Sequence, residues 1–537
     1  KNVSEVAGPN SGAFVTYNSS GTVYAKIGVS YISVEQAKKN LDRDIGEQSF
    51  EKIKSIARTK WEEALNKIQV EGGTQRQREI FYTSLYRTYE RMVNITEDGK
   101  YYSGYDNKIH EAEGYNFYVD DWSWDSFRSH HPLNLLIKTR KEVDMIRSYI
   151  KMYEQSGWMP TFPQVFGDFG GMIGHNHSAI IFDAFSKGVR DFDVDKAYEG
   201  IYKNVMHGTI VPWREGPITE LGKFYQKNGY FPALWPDEKE TESTVEPTWE
   251  KRQAVSVTLE HAYNAWCLAQ FAKALGKNDD YKLFSDWGQN YKNVFNSEHG
   301  FMAPKDKDGN WIEPFDPIWS GGPGVRAYYT EVNAWTYTWY ANHDLEGLFN
   351  LMSGKEKAIE KLDQLFEVPL TGSHKFKYLS HIPDATGLVG QFIMGNEPSF
   401  HIPYLYNYLG QPWKTQKRVR FLMDVWYDNT LMGLSGDEDG GGLSSWYVLS
   451  AMGFYQVTPG IPVYTITSPI FDKITVNLDN GNKFVIIANN NSKKNKYIKS
   501  ATLNGKVLET PFFQHSDIIN GATLELELVD RPTKWGI

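Results

Sequence analysis

Apolar positions recur at helical spacing along most of the chain and switch to strict alternation near its end. From Ser33, SVEQAKKNLDRD opens with that serine placed as an N-cap and with Glu35 and Gln36 in the first turn; the spacing continues through FEKIKSIARTKWEEALNKI. Further helical runs fall at REIFYTSLYRTYERM, LNLLIKTRKEVDMIRSYIKMYEQ, HSAIIFDAFSKGV and VDKAYEGIYKNVM. Others follow at VSVTLEHAYNAWCLAQFAKALG, DDYKLFSDWGQNYKNVF, KEKAIEKLDQLF, TQKRVRFLMDVW and GLSSWYVLSAMG. About a dozen such runs, many paired and separated by long aromatic Gly/Pro-rich loops, predict a mainly α fold. The arrangement that fits is an (α/α)6 toroid, or barrel, whose six inner helices are apolar on most sides.

Near Pro462 the period becomes two. VYTITS, KITVNL, KFVIIAN and TLELELV read as strands, with Asn-Gly turns at Asn480-Gly481 and Asn504-Gly505. The segment before the first helix is Gly/Ser/Asn-rich and then alternates in TVYAKIGVSYIS, which reads as a residual strand. The expected organisation is 1–33 as that strand segment, 34–72 as linker helices, 73–460 as the helical barrel, and 461–537 as a C-terminal β element packed on it.

Composition narrows the class. The chain has 537 residues, 41% apolar and 23% charged, with a net charge of −9; disorder, collagen and coiled coil fit poorly. No basic stripe is present, so no nucleic-acid or anionic-membrane partner is expected. One cysteine, Cys267, excludes an intrachain disulfide framework and a Cys-rich zinc site. No stretch approaches 18 apolar residues, and the chain opens on Lys1 without a leader-like segment. A soluble protein without a transmembrane segment, processed or truncated at its start, is the reading; the address expected is secreted, periplasmic or cell-surface in a bacterium. The unusual figure is aromatic: 17 Trp, 33 Tyr and 29 Phe, 15% of the chain.

Three loop regions combine acids, amides, glycines and aromatics more densely than core packing requires. They are DDWSWDSFRSHHP (120–132), TEVNAWTYTWYANHD (330–344), and GNEPSFH (395–401) with GLSGDEDGGGLSSW (433–446). Carboxylates in apolar surroundings are costly unless paired, so Asp125, Glu331, Glu397, Asp437 and Asp439 suggest a polar pocket. Rings beside carboxylates and amides suit a sugar cleft, and glycoside hydrolysis needs two carboxyl groups of divergent proton affinity. Tyr328, Tyr329 and Trp335 beside Glu331 would favour its protonated form by desolvation. Asp437 and Asp439 flank Glu438 in a Gly-rich loop and would supply a base, although acids before a helix also serve as first-turn charges. His175 and His177 lack a third ligand for zinc and are read as hydrogen-bonding or capping groups. Asp306 to Glu313 lacks a full calcium-loop ligand set and reads as a hairpin turn. No nucleotide-binding glycine pattern occurs.

The strings DWSWDSFRSHHPL, GHNHSAIIFDAFSKGVRDFD, EVNAWTYTWYANHD, GNEPSFHIPYLYNYLGQPWKTQ and GDEDGGGLSSWYVLSAMGFYQVTPG resemble glycoside hydrolase family 92, calcium-dependent exo-α-mannosidases, from about Val23 onward. The resemblance implies an (α/α)6 barrel preceded by a β-sandwich, of which 1–33 would be a remnant. It also implies hydrolysis of terminal α-mannosyl residues of N-glycans or mannans with inversion. Glu331 matches the general acid, and Asp439 with Asp437 the general-base pair. Asn396 and Glu397 lie where Ca2+ ligands are expected. Trp124, Asp125 and Arg128 match a substrate-binding element, with Trp158, His177 and His401 as further substrate-binding residues. Phe400 stands where a polar residue is often found, and SHIPD (380–384) lacks the His-Glu pair associated with α-1,2 selectivity. Two other classes stay open: an inverting (α/α)6 glycosidase for another sugar, which should not need calcium, and a noncatalytic glycan-binding protein.

Overall fold

The computed structural model describes residues 21–318, 326–369 and 386–537, together with Gly12, Phe14, Thr16 and Asn18. The SHIPD segment lies outside the described residues. The chain divides into two compact units, Lys1–Ala57 and Arg58–Ile537.

In the first unit, Ser33 caps the helix Val34–Asp44 as its sequence requires, its side chain accepting from Gln36 N–H. The strand expected at TVYAKIGVSYIS does not form: residues 22–33 pair with no strand among the described residues. Alternation favours a strand only where a partner supplies the ladder, and here Asn40 Nδ2 donates to Val29 O instead.

The second unit is mainly α. Helices His130–Ile137 and Gly442–Met452 are buried at every position, and Ala254–Ala274 at most. Their neighbours Thr139–Ser156, Val194–His207 and Pro412–Trp426 bury one face only. The run LNLLIKTRKEVDMIRSYIKMYEQ, continuous by pattern, is two helices broken at Lys138, whose buried ammonium donates to Thr88 O. That break turns the chain from an inner helix to an outer one.

Inner segments follow one another in a cycle. Gly442–Met452 packs on His130–Ile137, that helix on His177–Ser186, and that one on Ala254–Ala274. Tyr340 Oη then reaches Glu260, His401 reaches Trp339 O, and Trp446 Nε1 reaches Phe400 O, which returns to the start. These contacts follow the inner ring expected of an (α/α)6 arrangement.

The C-terminal residues build a six-stranded sheet in the order Ile68–Glu71, Lys473–Asn477, Lys483–Asn489, Ala522–Val529, Tyr497–Leu503, Lys506–Val507. Its outermost member corrects the 34–72 linker: after the helices, Ile68 to Glu71 pair antiparallel with Lys473–Asn477, Ile68 opposite Val476. Alternation of Ile68 and Val70 with Gln69 and Glu71 accounts for it. Val463–Ile466 belongs instead to a three-stranded sheet with Phe454–Tyr455 and Phe512–Gln514. Asn504 and Gly505 both take positive φ, as an Asn-Gly hairpin turn demands.

Candidate active site

Glu331 sits at the centre of a three-residue turn. Val332 N–H donates to Thr330 O at 2.6 Å, and Glu331 has φ +62°, a conformation uncommon for any residue but glycine. Its neighbours hold it there. Thr330 N–H donates to Ser256 Oγ at 2.9 Å and the Thr330 hydroxyl to Gln253 Oε1, both at the start of Ala254–Ala274. Strain kept in place by its surroundings marks functional positions. The residue is 8% exposed. Oε2 accepts from Asn396 Nδ2 at 2.6 Å, and Oε1 lies 3.4 Å from Arg326 Nη2. The same guanidinium is closer to Glu250, at 2.7 Å. Burial holds the Glu250 carboxyl above its usual range, against the pull of Arg326.

Next to Asn396 in the chain, Glu397 joins a second group. One carboxylate oxygen each of Asp125, Glu397 and Asp439 lie within 4.8 Å of one another. Three loops far apart in sequence thus converge, and glycines let them. Gly436, at φ +76°, packs its backbone on Gly395; a Cβ there would stand 2.3 Å from Gly395 O. Gly441, at φ +93°, leaves room for His130, whose Nδ1 lies 2.7 Å from Gly440 O. Asp439 itself takes φ +47°. Glu438 fills the capping role open to this acidic run: it accepts from Gly441 N–H at 2.8 Å and Ser444 N–H at 3.4 Å, and burial raises its carboxyl to about 7. Asp437 is exposed.

Beneath the Asp125 loop lie two buried ionic networks. Glu260 accepts from Trp124 Nε1 at 2.9 Å, Arg128 Nη2 at 3.3 Å and Tyr340 Oη at 2.7 Å, while the Arg128 guanidinium also faces the rings of Trp124, Phe127 and Tyr340. His131 lies between Glu142, at 2.6 Å, and Asp121, at 3.4 Å. Burial alone would lower its pKa, but the two carboxylates outweigh it and hold the imidazolium up to about 10. Asp121 also receives Ser126 Oγ and Tyr149 Oη, which fixes the turn that carries Trp124 and Asp125.

These contacts reassign several sequence-predicted residues. Trp124 and Arg128, 1% and 5% exposed, support the floor of the site. Tyr329 and Trp446 are buried as well, with polar atoms bonded to Met302 O and Phe400 O. His401 donates Nε2–H to Trp339 O, and burial lowers it to about 4. His177, at the first position of its helix, packs edge-on to Tyr149 and lies 3.7 Å from Asp121. Its neighbour His175 instead lines a cavity of about 480 Å³ with Trp158 and Asp168. Asp125, expected to meet substrate, stands in the carboxylate cluster, whereas Asn396, expected to meet a metal, bonds Glu331. Phe400 is core packing. Asp306 organises a hairpin turn, accepting from Asp308 and Asn310 N–H. Glu260, Arg326, Glu250, His131 and Glu142 were missed. Glu260 alone left a signal, a single acid inside the apolar run VSVTLEHAYNAW.

The model of the glycosyl hydrolase family 92 catalytic domain matches residues 36–530. This chain belongs to that family. Among solved structures, an α-mannosidase of family GH92 from Bacteroides thetaiotaomicron superposes with a TM-score of 0.82 at 31% identity, over 94% of this chain and 62% of its own. The family GH92 inverting mannosidase BT2199 from the same organism gives 0.81 at 36%, over 94% and 66%. A curated relative from Arthroderma benhamiae, described as an uncharacterized secreted glycosidase, is 28% identical over 96% of this chain and 61% of its own length. The chain therefore spans less than two thirds of the length of these relatives.

Proposed function

We propose that this chain carries the catalytic machinery of an exo-acting α-mannosidase that hydrolyses terminal α-mannosyl residues of glycans with inversion and depends on calcium. The observation that carries the reading is the junction of two carboxylate groups at one dipeptide: Asn396 holds Glu331, and Glu397 faces Asp125 and Asp439. Family membership gives it context, since one relative is named an inverting mannosidase and another was solved with mannoimidazole. The relative named as secreted supports action outside the cytoplasm, and no helix among the described residues is long and apolar enough to cross a membrane.

Glu331 is the general acid. It gives its proton to the glycosidic oxygen as the bond from that oxygen to C1 breaks. The Asp437/Asp439 pair takes a proton from a water that attacks C1 from the opposite face, so β-mannose leaves first. Asn396 orients the acid, and the strained turn at 330–332 fixes its direction.

An all-oxygen set suits a hard cation. Asp125, Glu397 and Asp439 supply three such oxygens, and Asn396 Oδ1 is buried with no hydrogen-bond partner among the described residues. These residues would hold calcium, which when bound can accept vicinal sugar hydroxyls and favour a flattened ring.

The test is a panel of α-linked mannobioses with and without chelator, with the product anomer followed by NMR. Release of α-mannose first would refute inversion, and no release from any mannoside would refute the activity. Activity untouched by chelation would refute the calcium requirement.

A further inference from the structure

A second pocket, sharing no residue with the site above, lies between helix Pro412–Trp426, the start of helix Gln75–Arg87 and the turn 490–496 of the C-terminal sheet. Its volume is about 740 Å³. Arg76, Lys417, Arg418, Arg420, Lys493 and Lys496 line it, against only Asp424 and Asp472. That local excess of cations stands out in a chain of net charge −9.

Half of these cations already have partners. Arg76 pairs with Asp428 at 2.7 Å, Lys493 with Asp424 at 3.1 Å, and Arg418 lies over the Phe366 ring. Lys417, Arg420 and Lys496 form no ion pair among the described residues. The Arg420 guanidinium hydrogen-bonds the neutral oxygens of Ser468, Asn491 and Ser492, and burial lowers its pKa to about 10 against the pull of Asp424 and Asp472. Lys496 is lowered by burial and then by Arg420, against the pull of Asp424, with Lys417 and Lys493 adding to the repulsion. Cations packed together in a partly desolvated pocket are unfavourable until an anion joins them. Guanidinium and ammonium groups in one cavity match the several acceptor oxygens of a phosphate. Phe421, 44% exposed, and Val389 line the same pocket and offer it an apolar wall.

We propose that this pocket binds a phosphate group carried on a saccharide, with Arg420, Lys417 and Lys496 taking the phosphate oxygens and Phe421 meeting the C–H face of the sugar. The inference does not depend on the mannosidase reading, because binding is measured without turnover.

Calorimetric titration of the full chain with mannose 6-phosphate, glucose 6-phosphate, inorganic phosphate and mannose, at low and high salt, decides it. Both sugar phosphates should bind, roughly tenfold tighter than inorganic phosphate, and more weakly as salt rises; mannose should not bind at this site. The double variant Lys417→Glu/Lys496→Glu, at one exposed and one half-buried lysine, should lose at least about tenfold in affinity while keeping its melting temperature and its hydrolysis of a neutral α-mannoside. Phe421→Ala should weaken the sugar phosphates and leave inorganic phosphate unchanged. Arg420→Gln risks misfolding, so the lysine variant carries the test. No binding of any phosphate, or binding indifferent to the lysine variant, overturns the proposal. Equal affinity for inorganic and sugar phosphate overturns its saccharide half. Phosphate binding in a chain that cleaves no mannoside would count against the proposed function alone.

Discussion

The two carboxylate groups of the site solve the problem of buried charge in opposite ways. Around Glu331 the counter-charge is part of the protein: Arg326 stands between Glu331 and Glu250, and Asn396 donates to the remaining oxygen. Around Asp439 the carboxylates meet one another, with oxygens of Asp125, Glu397 and Asp439 inside 4.8 Å. Like charges at that spacing repel by roughly 3–4 kcal/mol per pair at an effective dielectric of about 20. Neighbouring residues, Asn396 and Glu397, belong one to each group. On the proposed reading the first group gives the proton, while the second holds the cation and, through Asp439, takes the proton of the attacking water.

The sharpest way to break that contrast is at the acid. Glu331→Gln keeps the shape and the contact with Asn396 but has no proton to give, so turnover of an α-mannobiose should fall about 10²–10⁴-fold. An aryl mannoside with a good leaving group should lose far less, because it needs no protonation. Equal losses on both substrates would remove Glu331 from the acid role. Glu260→Ala tests the buried floor instead. Arg128 would be left desolvated among Trp124, Phe127 and Tyr340, at about 3–5 kcal/mol of stability, read as a lower denaturation midpoint. A variant of unchanged stability would show that the Glu260 network is not what holds the floor.

What the sequence made legible follows the same division. The helices announced themselves because each inner one is apolar around its whole circumference and each outer one along a stripe, and the late strands because their period is two. Glu331, Asp437 and Asp439 stood out as acids among glycines and rings. Directions of side chains were not legible. Trp124 and Trp446 look like a sugar platform in one dimension, yet their indole N–H groups are committed to Glu260 and Phe400 O inside the core. Asp125 joins the carboxylate cluster and Asn396 bonds Glu331 because loops about 300 residues apart meet through glycine backbones, a contact no local pattern encodes. Arg326 and Glu250 carried no signal at all, since a lone arginine and a lone glutamate are ordinary surface residues until folding buries them together.

The cluster side of the comparison is sharpened by metal linkage. Calcium at a hundredfold excess over its dissociation constant should stabilise the chain by about 2.7 kcal/mol, seen as a rise in melting temperature that needs no substrate. Glu397→Gln should abolish most of that rise. Without metal, however, the same variant should be as stable as the parent or more so, because one of three mutually repelling carboxylates is gone. A variant that loses stability without metal, or that keeps the full calcium response, would mean that Glu397 is a structural acid and the cluster no cation site.

The comparison can also be tested where the two groups are joined. Gly436 brings the Asp437–Asp439 loop against Gly395 and so sets how close Glu397 comes to Asp439. Gly436→Ala places a Cβ against Gly395 O at φ +76° and should cost about 1–2 kcal/mol from the backbone conformation alone. Relief of the contact must move one loop away from the other, because the Cβ meets backbone atoms that cannot swing aside, so the calcium-induced rise in melting temperature should shrink and the metal-free melting temperature should fall with it. Catalysis should suffer more than stability, because Asn396 follows Gly395 directly and carries the orientation of Glu331 with it. If Gly436→Ala lowered stability while leaving both the calcium response and turnover intact, the glycine contact would be a packing detail, and the two carboxylate groups would have to be held together by some other part of the fold.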